Sequence, residues 1–179
     1  MTVINPCDFN QTKNATLAIA AHYGPVYLRF GRPKVANFTP LNQPFEIGKG
    51  LLLKPGSDVT IIATGHLVWE ALQAAEVLSS QSINAEVINI HTIKPLDRSM
   101  IIESVTKTKC VVTAEEHNVF GGLGESVAGL LAQELPSPQE YVAMQDSFGE
   151  SGTPAQLMNK YGLNSEAIVD KIKKVLLRK

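Results

Sequence analysis

Apolar residues along this chain follow two rhythms. Short continuous runs alternate with longer stretches in which they return every three or four positions. Val59-Thr60-Ile61-Ile62-Ala63, Glu86-Val87-Ile88-Asn89-Ile90 and Cys110-Val111-Val112-Thr113-Ala114 are of the first kind. Such runs predict strands of a parallel sheet covered on both faces. Leu51-Leu52-Leu53 and Tyr141-Val142-Ala143-Met144 read as two further strands. Val68, Leu72, Ala75 and Leu78 keep helical spacing over roughly Leu67–Ser80. Ile101, Ile102 and Val105 form a second stripe after Asp97, a capping residue. Further helices are expected over about Gly122–Glu134, Ala155–Lys160 and Ser165–Leu177. Lys54-Pro55-Gly56-Ser57 reads as a hairpin turn that adds one antiparallel edge strand. The sum is an α/β fold: a three-layer α/β/α sandwich around a mostly parallel sheet of about five strands.

The opening stretch has a different character. Thr2-Val3-Ile4 is a short strand stopped by Asn5-Pro6, and Asp8 can cap a helix over roughly Phe9–Ala21. Leu17, Ile19 and Ala20 would form the apolar side of that helix. Gly24-Pro25 ends it, and Val26-Tyr27-Leu28-Arg29-Phe30 reads as a strand. This β-α-β unit is too small to bury a core alone, and an exposed sheet edge is expected of it. From Pro33 to about Pro44 the chain turns to Pro, Asn, Thr and Gln without periodicity, as in a linker. Two parts follow, residues 1–38 and residues 39–179.

Composition narrows the classes of function. A hydrophobic share of 44%, a charged share of 18% and a net charge of -1 describe an ordinary globular chain. They give no electrostatic ground for binding nucleic acid or an acidic membrane surface. Cys7 and Cys110 read as free thiols in a reducing cytosol, and the four histidines are too scattered for a metal pattern.

The sharpest local feature is Glu115-Glu116-His117-Asn118-Val119-Phe120-Gly121-Gly122-Leu123-Gly124-Glu125, placed where a strand gives way to a helix. Open α/β sheets bind ligands at such strand ends. One reading is an anion seat at the helix N-terminus with Glu116 and His117 as an acid/base pair. The other, favoured by a glycine spacing foreign to dinucleotide sites, is a structural or interface loop built by Glu116, His117, Gly121, Gly122 and Gly124. Arg29 and Arg32 flank the end of the second strand. They are either surface arginines or, at a strand's end, a guanidinium able to grip phosphate. His66 and His91 follow strands and read as residues of helix or loop entry, and Trp69 as core or interface.

Taken in order, Met1–Asp8, Gly24–Pro33, Gly50–Gly65, Thr92–Asp97, Glu115–Glu125 and Asp146–Leu163 resemble the transketolase family along essentially the whole chain. Deoxyxylulose phosphate synthase and the β subunits of 2-oxoacid dehydrogenases share parts of the pattern. Glu115-Glu116-His117, Arg29-x-x-Arg32-Pro33 and Phe148-Gly149-Glu150-Ser151-Gly152 look more like transketolase. The resemblance implies that residues 1–38 end a pyrimidine-binding domain and that residues 39–179 are the C-terminal domain. It implies two-carbon ketol transfer between sugar phosphates, with thiamine diphosphate and a divalent cation (Mg or Ca) supplying the carbanion chemistry.

In the family, the arginine matching Arg32 contacts the substrate phosphate, and Arg29 is a second candidate. The Gly-Asp-Gly motif, the activating glutamate and the catalytic histidines of the family have no match here. None of His22, His66, His91 and His117 therefore inherits a catalytic role. The chain alone is expected to be inactive and to hold no cofactor. Its expected partners are an N-terminal portion of the enzyme, a second copy in a homodimer and phosphorylated sugars, in the cytoplasm and the pentose phosphate pathway. The alternative is a free-standing dimerisation or regulatory module, or the equivalent part of the two related enzymes.

Overall fold

Two sheets divide the chain, and the smaller one borrows a strand from the larger unit. The computed structural model describes residues 1–179. Its elements are β1 (Thr2–Ile4), α1 (Phe9–Ala20), β2 (Val26–Leu28), β3 (Leu51–Lys54), β4 (Val59–Ala63), α2 (Leu67–Ser79) and β5 (Ala85–Asn89). They continue with β6 (Thr92–Lys94), α3 (Arg98–Thr108), β7 (Val111–Asn118), α4 (Leu123–Glu134), β8 (Gln139–Met144), α5 (Pro154–Lys160) and α6 (Ser165–Leu176). The main sheet has the order β3-β5-β4-β7-β8, parallel except for β3, and the small sheet has the order β2-β1-β6.

The uninterrupted apolar runs do what their composition dictates. Every residue of β4 and of β5 is buried, so both faces of these strands are covered. One face packs on α2 and α6 through Leu67, Ala71, Leu78, Ile168 and Ile172. The other packs on α3 and α4 through Ile62, Ile88, Ile101, Val105 and Leu130. The result is the expected three-layer α/β/α sandwich with five strands in the sheet.

The hairpin expectation fails. β3 pairs with β5 and not with β4 (Leu51↔Asn89, Leu52↔Ile88), so the chain between β3 and β4 steps over the start of β5. The Asn84 carbonyl accepts from the amides of Ser57 and Asp58, and Asp58 Oδ2 accepts from the Asn84 amide at 2.7 Å. A Cβ on Gly56 would stand 2.3 Å from the Glu86 nitrogen, which is the close approach that this glycine allows.

The first unit is not an isolated β-α-β either. β1 pairs in parallel with β2 and, on its other side, antiparallel with β6, a strand that the sequence pattern did not reveal. β1 is thus paired on both sides, and β2 and β6 are the edges of the small sheet. The expected apolar side of α1 is also misplaced: Gln11 and Ala15 are buried, whereas Leu17 is 64% exposed. Phe9, Tyr23, Tyr27 and Phe30 are exposed on the same unit.

The linker runs back along α1 and is fastened to it. Asp8 caps α1 by accepting from the Gln11 amide at 2.8 Å. The same buried carboxylate accepts from the Phe38 amide (2.9 Å), the Thr39 amide (2.6 Å) and Thr39 Oγ1 (2.7 Å). Asn10 Nδ2 donates to the Thr39 carbonyl at 2.6 Å and Asn14 Nδ2 to the Gln43 carbonyl at 2.9 Å. Four donors converge on one carboxylate that has no cation beside it, so its removal orphans buried amides. Asp8→Ala is expected to lower the unfolding free energy by about 3 kcal/mol, measured by urea titration.

His91 supplies a pH term. Its ring is buried, lies 4.1 Å from the Phe45 ring and has no partner for Nε2. Burial lowers its pKa from 6.5 to about 4, and the Asp97 charge opposes this only in part. The unfolded chain therefore binds a proton that the folded chain refuses between those two values, so stability falls as pH drops through that window. A loss on the order of 3 kcal/mol is the ceiling for such a displacement. Urea midpoints of His91→Gln should lack this slope between pH 6.5 and 4, whereas those of the parent chain show it.

Candidate functional site

The main sheet changes direction between β4 and β7. From β4 the chain passes through α2 to β5 on one side, and from β7 through α4 to β8 on the other. Such a switch point leaves a crevice at the carboxyl ends of the two strands. Here the chain's own first unit sits over it. The Asn5 amide donates to the His91 carbonyl at 2.8 Å, and the Asn5 carbonyl accepts from the Gly65 amide (3.3 Å) and Thr64 Oγ1 (3.2 Å). Behind it, Asn89 Nδ2 donates to Gln11 Oε1 (3.1 Å) and to Cys7 Sγ (3.3 Å). Burial, helped by the Asp8 charge, pushes the Cys7 thiol up, and burial does the same to Cys110. Neither is placed to act as a thiolate. Both cysteines are unpaired.

What remains open is a set of adjoining clefts around His66. The largest, about 700 Å³, lies between the first unit and the sheet and is lined by Asn5, Asp8, Arg29, Lys34, His66 and Glu116 among others. A second, about 420 Å³, is bordered by Arg32, His66, Glu116, Met144, Gly152 and Tyr161. A third, about 410 Å³, also reaches His66, with Lys34 and Glu70. His66 begins α2 without capping it, so its side chain is free to face Glu116, with Nδ1 3.9 Å from Oε2.

β7 is longer than the apolar run suggested. Its pairing with β4 stops at Ala63↔Ala114, and its pairing with β8 jumps from Ala114↔Val142 to Asn118↔Met144. Glu115, Glu116 and His117 thus belong to an irregular strand end and not to the glycine turn. Glu115 bends under that turn and caps α4, accepting from the amides of Leu123 and Gly124 at 2.8 Å each. A Cβ on Gly122 would stand 2.3 Å from Glu115 Oε2, and one on Gly124 would stand 2.5 Å from the Tyr141 ring. Gly121, at φ +76°, donates to Glu125 Oε2 at 2.7 Å. The anion seat imagined at this helix terminus is therefore filled by the chain's own carboxylates.

Glu116 and His117 are not an acid/base pair. His117 Nδ1 lies 2.8 Å from the Asn118 carbonyl, to which it must donate, while Glu116 turns to His66. His91 is buried away from the clefts, with Nδ1 3.1 Å from Thr92 Oγ1. Trp69 packs on Phe38 at 5.5 Å between ring centroids. Arg32 and Lys34 are exposed at the cleft rim, whereas Arg29 is half-buried. A capping or pairing role for the loop's carboxylates was legible, but Lys34 and the identity of Glu115 as the cap of α4 escaped sequence reasoning. A lysine in a linker carries no local signal, and a carboxylate that reaches eight residues forward is invisible to periodicity.

No three His, Cys, Asp or Glu side chains are gathered so as to hold a metal ion. With the α4 terminus already capped, the residues of this chain do not fit the metal–diphosphate end of a thiamine cofactor. No helix is long and apolar enough to cross a membrane.

An α/β/α sandwich with a β-α-β unit laid across its strand ends is a narrow class, and comparison with known proteins agrees on which. Residues 48–168 match the family model described as "Transketolase, C-terminal domain". The chain is 45% identical over 179 residues to the 6-deoxy-6-sulfo-D-fructose transketolase subunit SqwH of Clostridium sp. (strain MSTE9), covering 100% of this chain and 56% of that protein. It is 38% identical over 173 residues to 1-deoxy-D-xylulose-5-phosphate synthase 1 of Geobacter sulfurreducens, covering 94% of this chain and 27% of that protein. A solved structure described as "Split gene transketolase, inactive beta4 tetramer" superposes with a TM-score of 0.96 at 44% identity, over 99% of this chain and 58% of that one. The chain belongs to the transketolase family, as a C-terminal section. It spans about half the length of relatives such as the Clostridium subunit, 56% in that case.

Glu115→Ala should uncap α4 and cost about 2 kcal/mol in urea unfolding, with faster hydrogen exchange at Leu123 and Gly124. Glu115→Gln, which keeps one acceptor, should recover part of the loss.

Proposed function

We propose that this chain is one component of a thiamine diphosphate-dependent ketol transferase acting on phosphorylated sugars. On this reading residues 1–38 complete a pyrimidine-binding domain and residues 39–179 form the C-terminal domain. The cofactor and its divalent cation are held by protein outside this sequence. Three observations support the reading. The likeness to a split-gene transketolase extends over the first unit as well as the sandwich. The clefts of this chain are edged by the cationic side chains of Arg29, Arg32 and Lys34, which suit a phosphorylated sugar. Phe9, Leu17 and Tyr27 of the first unit are exposed, as expected of a surface that partner protein covers.

The observation that carries the residue assignment is Arg32. It is exposed at the rim of a cleft, and no ion pair of the chain includes it. A guanidinium left free in this way can form two parallel hydrogen bonds to a phosphate. Glu116, His117, Gly121, Gly122 and Gly124 serve the loop and its contacts with neighbouring protein. Assembly with an N-terminal portion, a homodimeric core, the cytoplasm and the pentose phosphate pathway complete the proposal. Relatives named for a sulfosugar and for deoxyxylulose phosphate make the sugar the most open term.

The test is reconstitution. Mixed with an N-terminal transketolase portion, thiamine diphosphate and Mg, the chain should support ketol transfer that neither part supports alone. Arg32→Ala in that mixture should raise KM for a phosphorylated acceptor about tenfold or more and leave kcat nearly unchanged. Assembly without activity would reject the reading.

A further inference from the structure

Arg29 and Arg32 are three residues apart yet sit in unlike surroundings. Arg32 projects from an exposed turn in which Gly31, Pro33 and Lys34 are exposed as well. Gly31 has no side chain to anchor that turn, and its Cβ position meets nothing nearer than the Pro33 ring at 3.5 Å. Arg29 is engaged twice. Its amide donates to the Ile4 carbonyl at 2.8 Å, prolonging the β1–β2 pairing by one residue. Its guanidinium donates through Nη2 to the backbone carbonyl of Glu116 on β7.

That carbonyl is open to such a donor. It lies beyond the last residue paired with β4 and inside the break in the pairing with β8, so no strand of the sheet satisfies it. The carboxylate of the same residue faces His66 at the entry to α2. One residue of β7 therefore joins the closing strand of the first unit to the start of α2, and Arg29 makes that join.

We propose that Arg29 is a positioning residue and not a substrate ligand. By holding β2 against β7 it fixes the Gly31–Pro33 turn and hence the place where Arg32 enters the cleft. The clamp is a property of this chain, and its consequence for substrate rests on the reading of Arg32 as the phosphate group. The two roles differ in what they demand of the side chain. A single carbonyl acceptor is satisfied by an ammonium as well as by a guanidinium, whereas paired hydrogen bonds to phosphate require the planar fork.

Hydrogen exchange on the full chain tests the clamp directly. Arg29→Ala should speed exchange of the amides in Thr2–Asn5 and Val26–Phe30 about tenfold, and Arg29→Lys no more than about threefold. Arg32→Ala should leave these segments unchanged. In the reconstituted enzyme, Arg29→Ala should raise KM for a phosphorylated acceptor and Arg29→Lys should restore it, whereas Arg32→Lys should not rescue Arg32→Ala. Unchanged exchange in Arg29→Ala overturns the proposal. So does an Arg29→Lys variant as impaired in KM as Arg29→Ala, because that marks a phosphate ligand. An Arg32→Ala enzyme with unaltered KM would defeat the phosphate reading alone, and the exchange pattern would still decide whether the clamp exists.

Discussion

The arrangement turns on the backbone of Asn5. Its amide and carbonyl are shared with His91, Thr64 and Gly65, residues that leave the ends of two strands of the main sheet. Gly65 is required on two counts. Its φ of +55° favours glycine, and a Cβ there would stand 2.6 Å from Asn5 Nδ2. With Asn5 seated, Cys7 and Gln11 reach Asn89, β1 meets β6, and Arg29 arrives at Glu116. The crevice that this topology ordinarily offers to a ligand is thus used for holding two parts of one chain together. The clefts around His66 are what that docking leaves uncovered.

This explains how the polar character of the site arises. Strand ends in a parallel sheet present carbonyls and amides without partners. In this chain Glu115 and Glu125 satisfy amides at the α4 turn, Asn5 satisfies groups at β4, and Arg29 satisfies Glu116. The Asn5 and Arg29 contacts bridge residues distant in sequence, whereas those of Glu115 and Glu125 close within one loop. The side chains left without such duties, Arg32 and Lys34, stand at the rim.

Much of the sandwich was legible in the sequence because it rests on local rules. The buried runs of β4 and β5 and the caps Asp8 and Asp97 act over a few residues. Likewise Thr153 and Gln156 form a capping box at α5, where Pro154 had marked the first turn. The misreadings concern non-local partners. β6 is three residues long and is a strand only because β1 lies beside it. The 54–57 turn resembles a hairpin loop until Asn84 is seen to bind Ser57 and Asp58. Leu17 satisfies a helical pattern on α1, yet this chain brings nothing to cover it. Of the site, the strand-end position and both arginines were visible, but the difference between an occupied and a free guanidinium was not, since it depends on a carbonyl 87 residues away.

The capped terminus of α4 has one more effect, on the electric field in the clefts. A bare helix end projects a fixed positive potential from aligned peptide dipoles. Here Glu115 neutralises that source, so attraction for an anion comes from the solvent-facing cations Arg32 and Lys34. Their influence decays over roughly a Debye length, about 8 Å at physiological ionic strength. The electrostatic pull of this surface on an anion is thereby short-ranged, and added salt weakens it steeply.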